Sequence, residues 1–303
     1  MVAADGVGGA GALDAARLTA ALSGAPRAAG EPGTMWTDVR IVAATGSTNT
    51  DVLRLAAAGA GEGLVLAAES QTAGKGRQGR VWQTKPGAAL TFSALLRPEP
   101  VPQAAWGWLP LLTGVAVVHA LGQVSRLDAS LKWPNDVLVG QRKLAGILAE
   151  QTAGAVIIGT GINVLGSDQD LPVTSATSLE RSGAGGTDRT SLLAAILEEL
   201  EHWYQRWRET GHGDAETAGL RKEYLSLSAT IGQHVRVQLP GDRVLTGLAS
   251  GVDGAGRLLV EAGPDTDVAG LAVAGARGSG SDPAAAGQVA VSAGDVIHVR
   301  PAD

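Results

Sequence analysis

Several short segments carry residue types able to handle a charged acyl or phosphoryl group. The densest runs Ala73-Gly74-Lys75-Gly76-Arg77-Gln78-Gly79-Arg80-Val81-Trp82, with three glycines and three cations in the seven positions from Gly74 to Arg80. Glycines let a backbone turn through positive φ and bring its N–H groups close to a ligand. Lys75, Arg77 and Arg80 add charge and forked donors, the chemistry for gripping a phosphate or a carboxylate. On composition alone the loop also reads as a solvated turn. Lys132-Trp133-Pro134-Asn135-Asp136 sets a cation, a ring, an amide and a carboxylate at one turn, where the bland reading is an ordinary β-turn. Arg142-Lys143-Leu144-Ala145-Gly146-Ile147-Leu148 carries a basic pair into an apolar strand, a place where a lysine is often merely solvated.

Other chemistries drop out. Gly74 to Gly79 matches G-x-G-x-x-G, but the next segment is strand-like and contains Pro86, so no helix N-terminus receives a pyrophosphate. Gly74-Lys75 is followed by Gly76 rather than Ser or Thr, which removes the P-loop. The histidines (His119, His202, His212, His234, His298) show no metal-ligand spacing, and there is no G-x-S-x-G. With no cysteine in the chain, disulfides, thiolate catalysis and Cys-ligated zinc are excluded.

The elements that must hold these segments follow from periodicity. A strand near Ile41 leads into Thr48, read as an N-cap with Asp51 completing a capping box, and a helix ending at Gly59. Gly63–Ala68 and Ala88–Leu96 read as strands flanking the basic loop. Leu109, Leu112, Ala116, Val117 and Ala120 mark a helix, and Leu193 to Trp207 a second, strongly amphipathic one. Asp136–Val139, a Gly140-Gln141 turn and Lys143–Gln151 form a hairpin. Ala155–Ile158 is a short strand entering Gly159-Thr160-Gly161-Ile162-Asn163. Beyond Ser228 the texture becomes short alternating strands, interrupted by a Gly/Ala/Ser-rich insertion.

The 303-residue length suggests two domains, and 45% hydrophobic against 18% charged residues makes the chain globular. Its 43 glycines weaken any motif resting on glycine alone. A net charge of -6 speaks against a general nucleic-acid binder. No apolar run reaches the roughly 18 residues needed to span a bilayer, and Met1–Ala12 lacks signal-peptide character, so a cytoplasmic protein is expected.

Together the segments resemble the biotin–protein ligases. The likeness rests on Gly46-Ser47-Thr48-Asn49, on Gln71 with the basic loop, on Lys132 to Asp136, on Arg142 to Leu148 and on Gly159 to Asn163. It implies an α+β fold: a catalytic core like that of class II aminoacyl-tRNA synthetases, then a small SH3-like β-barrel. The division expected is a flexible lead-in at 1–35, a catalytic domain at 36–227, and a barrel at 228–303 with a mobile insertion at 263–287. The reaction implied has two steps, MgATP activating biotin to biotinoyl-5′-AMP and a carrier-protein lysine then accepting biotin.

By this resemblance Arg77 and Lys143 are catalytic. Ser47, Thr48, Asn49, Gln71, Gly74, Lys75, Gly76 and Gly146 join them around biotin. Arg80, Trp82, Lys132, Asn135, Asn163 and Arg300 serve the nucleotide with Arg77, and Asp136 holds Mg²⁺. Trp133 is open between ligand stacking and core packing. The implied partners are biotin, ATP and the biotin carboxyl carrier of acyl-CoA carboxylases, with no DNA or membrane, in a monomer or weak homodimer. Lys75 stands where the family usually has Arg, keeping charge and losing the fork. Only 46 residues precede Ser47 and they lack a second helix, so a ligase without the repressor domain is expected. A lipoate–protein ligase and a biotin-sensing DNA-binding regulator are the alternatives.

Overall fold

The computed structural model describes residues 11–24, 33–82, 84–166, 175–209, 213–239, 243–263, 287–292 and 295–298. The elements are α1 (Ala15–Gly24), β1 (Asp38–Val42), α2 (Thr48–Ala57), β2 (Leu64–Ala68), β3 (Ala89–Leu96), α3 (Trp108–Ser125), β4 (Ala129–Lys132), β5 (Asp136–Val139), β6 (Arg142–Thr152), β7 (Ala155–Asn163), α4 (Arg189–Glu209) and α5 (Leu220–Leu227). The smaller C-terminal unit contributes β8 (His234–Gln238), β9 (Val244–Val252), β10 (Leu258–Ala262), β11 (Gln288–Val291) and β12 (Asp295–His298).

The first seven strands form one sheet in the order β1-β2-β3-β7-β6-β5-β4, antiparallel except for the β1–β2 pair. Period-two alternation divides its side chains between two layers. Leu64, Leu66, Leu95 and Ile157 pack with Val52 and Ala56 under α2. Val65, Ala67, Ala94, Leu96, Val156 and Ile158 face the other way, into the large core built with α3 and α4. The site face of the central strands has few bulky side chains, because Gly146 pairs with Gly161 and Leu148 with Gly159.

The expected flexible lead-in is corrected for its described part. Leu13, Leu18 and Leu22 are buried, and α1 packs on α4. The Leu13 N–H donates to Glu69 Oε1 (2.6 Å), and the buried Arg189 guanidinium donates to the Gly11 carbonyl and Glu69 Oε2 (2.7 Å). The apolar face of α1 therefore belongs to the core. By length and composition alone, α3 is the one helix among the described residues apolar enough to cross a membrane, although polar residues such as Thr113, His119 and Gln123 interrupt it. Two-thirds of it is buried against the sheet, α4 and α5, as in a central core helix. The short α5 was not foreseen.

The C-terminal strands form an antiparallel sheet, β11-β10-β9-β8-β12, of a small barrel-like domain. Its β9–β10 turn rests on the core. Trp108 Nε1 donates to the carbonyls of Asp253 and Gly254 (3.1 Å each), and Trp133 Nε1 to Gly256 (3.1 Å). A Cβ on Gly107 would lie 2.2 Å from the Ala255 oxygen, so only glycine permits this approach. Positions 264–286, most of the proposed insertion, lie outside the described residues.

Candidate active site

The recognition wall begins at the start of α2. Ser47, not Thr48, is the N-cap, and its side chain makes no cap bond. Asp51 accepts from Thr45 Oγ1 instead of closing a capping box. Thr48 is thereby turned inward, its N–H donating to Gln71 Oε1 (2.8 Å). Asn49 is buried over Gly159, where an added Cβ would approach Asn49 Oδ1 to 2.1 Å. Its Nδ2 donates to Glu150 Oε2 (2.8 Å). Ser93 Oγ lies 2.7 Å from Thr48 Oγ1 and 2.6 Å from Asn49 Oδ1.

The basic loop is a small hairpin. The Gly76 N–H donates to the Arg80 carbonyl (2.7 Å) and the Trp82 N–H to the Gly74 carbonyl (2.8 Å). At the tip, Gln78 (φ 55°, ψ 37°) and Gly79 (φ 73°) are both left-handed, as a type I′ turn requires. Gly74 has no room for a Cβ, which would meet the Trp82 oxygen at 2.4 Å. The Trp82 indole lies in the hollow left by Gly146 and Gly161, its Nε1 buried without a hydrogen-bond partner among the described residues. Under the hairpin is a cavity of about 570 Å³ lined by residues 73–81, Leu148 and Glu150. That volume suits a small ligand.

The cations converge beside it. Arg77 Nη1 donates to Asn135 Oδ1 (3.0 Å), while Asn135 Nδ2 donates to the Ile147 carbonyl (2.9 Å). Lys143 Nζ stands 2.6 Å from Asp136 Oδ1 and 6.0 Å from the Trp82 ring centre. A register shift between β5 and β6 pairs Val137 with Ala145 but Leu138 with Lys143, leaving Leu144 as an extra residue. The bulge puts Lys143 on the Gly146 face, its Cε and Nζ 3.2 Å from where a Gly146 Cβ would be. Lys132 is the cross-strand partner of Asp136. Burial pushes the Lys132 ammonium below the ordinary lysine range; Asp136 opposes this and Lys143 adds to it. Burial likewise lowers Arg77, against the pull of Asp136 and with the push of Arg80. One carboxylate thus balances three cations.

The structure gathers Thr48, Asn49, Gln71, Gly74, Lys75, Gly76, Arg77, Trp82, Asn135, Asp136, Lys143 and Gly146 around one face of the sheet, with Ser47 capping the helix and Lys132 at the rim. Arg80 sits in the hairpin and donates to Gln78 (3.1 Å). Asn163, at the end of β7, is engaged within the fold. It is buried, and its Nδ2 donates to the Thr177 carbonyl (2.9 Å), pinning a loop. Trp133 is core. Asp136 is bound to a lysine, and among the described residues no group of three or more His, Asp or Glu side chains is arranged to hold a metal. Arg300 lies outside the described residues. Sequence reasoning missed Ser93 and Glu150. The signal for Ser93 was there: Thr91 and Ser93 are polar at spacing two in an otherwise apolar strand.

Known proteins place this geometry. The profile of the Biotin/lipoate A/B protein ligase family matches residues 42–166, and that of the Biotin protein ligase C terminal domain residues 230–299. A biotin--[acetyl-CoA-carboxylase] ligase of Mycobacterium tuberculosis is 39% identical over 272 residues, 88% of this chain and 91% of the relative. One from Paracoccus denitrificans is 32% identical over 73% of this chain and 92% of its own length. The Aquifex aeolicus biotin protein ligase in complex with biotin and ATP superposes with a TM-score of 0.67 at 25% identity, over 88% of this chain and all of that one. The catalytic layer thus falls in the class of biotin/lipoate protein ligases. Within that class the chain belongs to the biotin protein ligase family.

Proposed function

We propose that this chain activates biotin with ATP beneath the 74–82 hairpin and transfers it to a lysine of the biotin carboxyl carrier of an acyl-CoA carboxylase. The observation that carries the reading is the convergence of Arg77, Lys132 and Lys143 around the single carboxylate Asp136, next to the cavity. In the first step a carboxylate oxygen attacks the α-phosphorus and pyrophosphate leaves. Two anions must meet, so fixed cations lower the barrier. Arg77, which donates to Asn135 Oδ1, would bridge carboxylate and α-phosphate, and Lys143 would hold the acyl and phosphoryl oxygens. Thr48, Asn49 and Gln71 supply donors and acceptors for the ureido ring. Trp82 Nε1 offers one more unsatisfied donor. In the second step the carrier amine attacks the acyl carbon and AMP departs.

Magnesium fits this donor set only as a companion of the nucleotide. Asp136 offers one carboxylate, and the remaining ligands would be phosphate oxygens and water. The ion supplies neutralisation of phosphate charge. The proposed compartment is the cytoplasm.

The test is ATP–pyrophosphate exchange with biotin and lipoate side by side. Exchange that requires biotin is expected. Exchange driven by lipoate and indifferent to biotin would overturn the reading in favour of a lipoate ligase.

A further inference from the structure

Glu150 stands at the end of β6, and its two oxygens face different parts of the site. Oε2 accepts from Asn49 Nδ2 (2.8 Å) and Oε1 lies 4.0 Å from Lys75 Nζ. The Asn49 contact is the last link of a buried set of hydrogen bonds that runs through Ser93 to Thr48. Asn49 Oδ1 can only accept, so the Ser93 hydroxyl proton goes to it across 2.6 Å. Thr48 Oγ1 lies 2.7 Å from Ser93 Oγ and 3.1 Å from Gln71 Oε1, and its one proton serves either contact. Gln71 Oε1 keeps the Thr48 N–H at 2.8 Å. Continuous hydrogen bonds therefore join Gln71 and Thr48, through Ser93 and Asn49, to Glu150, from the recognition wall to a carboxylate facing the hairpin. Each bond of such a chain polarises the next. Across the cavity, Glu150 meets the hairpin through Lys75, whose strand position pairs with Val81.

We propose that Glu150 is the positioning residue that fixes the cationic hairpin over the cavity, through Lys75, at the end of the Thr48–Ser93–Asn49 chain. Its kinetic consequence rests on the ligase reading; its structural consequence does not. The Lys75–Glu150 pair is partly solvated, so it stabilises the closed hairpin by a factor of about two to five and is screened by salt. This chain has Lys at position 75, without the second prong that would hold a carboxylate at fixed geometry. The hairpin therefore answers to ionic strength.

Hydrogen exchange of the Gly76 and Trp82 amides, the two that close the hairpin, is the direct measurement. Glu150→Gln keeps an acceptor for Asn49 and removes the charge. Exchange is expected to rise about two- to fivefold and to lose its salt dependence. Lys75→Met should do the same, and the double variant no more than either. Wild-type exchange in Glu150→Gln, or additive effects in the double variant, would overturn the proposal. So would a fall in Tm with the hairpin's exchange unchanged, which would make Glu150 purely structural. In a second arm, biotinoyl-AMP formed without carrier should escape from Glu150→Gln about two- to fivefold faster. A wild-type chain that forms no adenylate would refute the ligase reading, while the exchange arm still decides on Glu150.

Discussion

Asp136→Asn isolates the electrostatic balance of the site, because it removes the one carboxylate held among Arg77, Lys132 and Lys143. Lys132 is the group to watch. Its ammonium is already depressed by burial and by Lys143, and Asp136 is the interaction that resists. Lys132 and Asp136 are directly opposite across β4 and β5, a spacing of about 5 Å between Cβ atoms. At an effective dielectric near 20, opposite unit charges roughly 6–8 Å apart, as at the ends of two such side chains, attract by about 2–3 kcal/mol. Partial exposure of the site reduces this to about 1–2 kcal/mol, or on the order of one pH unit.

The alkaline limb of the biotin-dependent pyrophosphate exchange should therefore move about one unit toward neutrality in Asp136→Asn. Unfolding through Lys132 does not mimic this. A lysine with a lowered folded pKa binds fewer protons folded than unfolded between its two pKa values, so its contribution to stability rises with pH there. Exchange rates across the pH range, with Tm recorded in parallel, make the assay. An alkaline limb that stays put or moves upward in the variant would refute the assignment of Lys132 and Asp136 to one coupled cluster.

Arg77→Ala and Lys143→Ala should each lower pyrophosphate exchange by roughly 10²–10³ with little change in Tm, since each removes a fixed cation rather than a core residue. Exchange and Tm measured together check this. Gln78→Asn should slow hydrogen exchange at Gly76 and Trp82 about two- to fivefold, because Asn followed by Gly suits the left-handed turn now held by Gln78. His119 lies between Glu199 (3.1 Å) and Glu223 (2.8 Å), and these carboxylates, Glu199 first, raise its pKa against burial. Its stabilisation, about 1 kcal/mol, should be full below the ordinary histidine range and vanish as pH rises through the raised pKa. Denaturant unfolding of His119→Gln against the wild type at acidic and alkaline pH measures the difference.

The sequence was informative wherever chemistry crowds into a few adjacent residues. Lys132 to Asp136 and Gly74 to Arg80 have charge, glycine and amide at spacings that core packing does not ask for, and both segments fall at the site. Positions whose role depends on a distant partner were less readable. Lys143 reaches the Gly146 face only because the β5–β6 pairing slips by one residue, and that register is set by tertiary pairing. Asn163 carries a motif-like neighbourhood, yet its amide is taken by Thr177, across a loop. The α1 segment is short and rich in small residues, so its buried leucines gave too few periods to distinguish a docked helix from a loose lead-in. Glu150 looked like the polar end of a strand until Asn49 and Lys75 were placed on its two oxygens.

The central claim is that the cationic hairpin and the Asp136 cluster together make and transfer an activated biotin. Mass spectrometry of a biotin carboxyl carrier domain, incubated with this chain, ATP and biotin, tests it most directly. The account predicts one biotinoyl group on a single carrier lysine, with the product lost when Arg77 is replaced by Ala. An unmodified carrier, or an equal yield from Arg77→Ala, would contradict it.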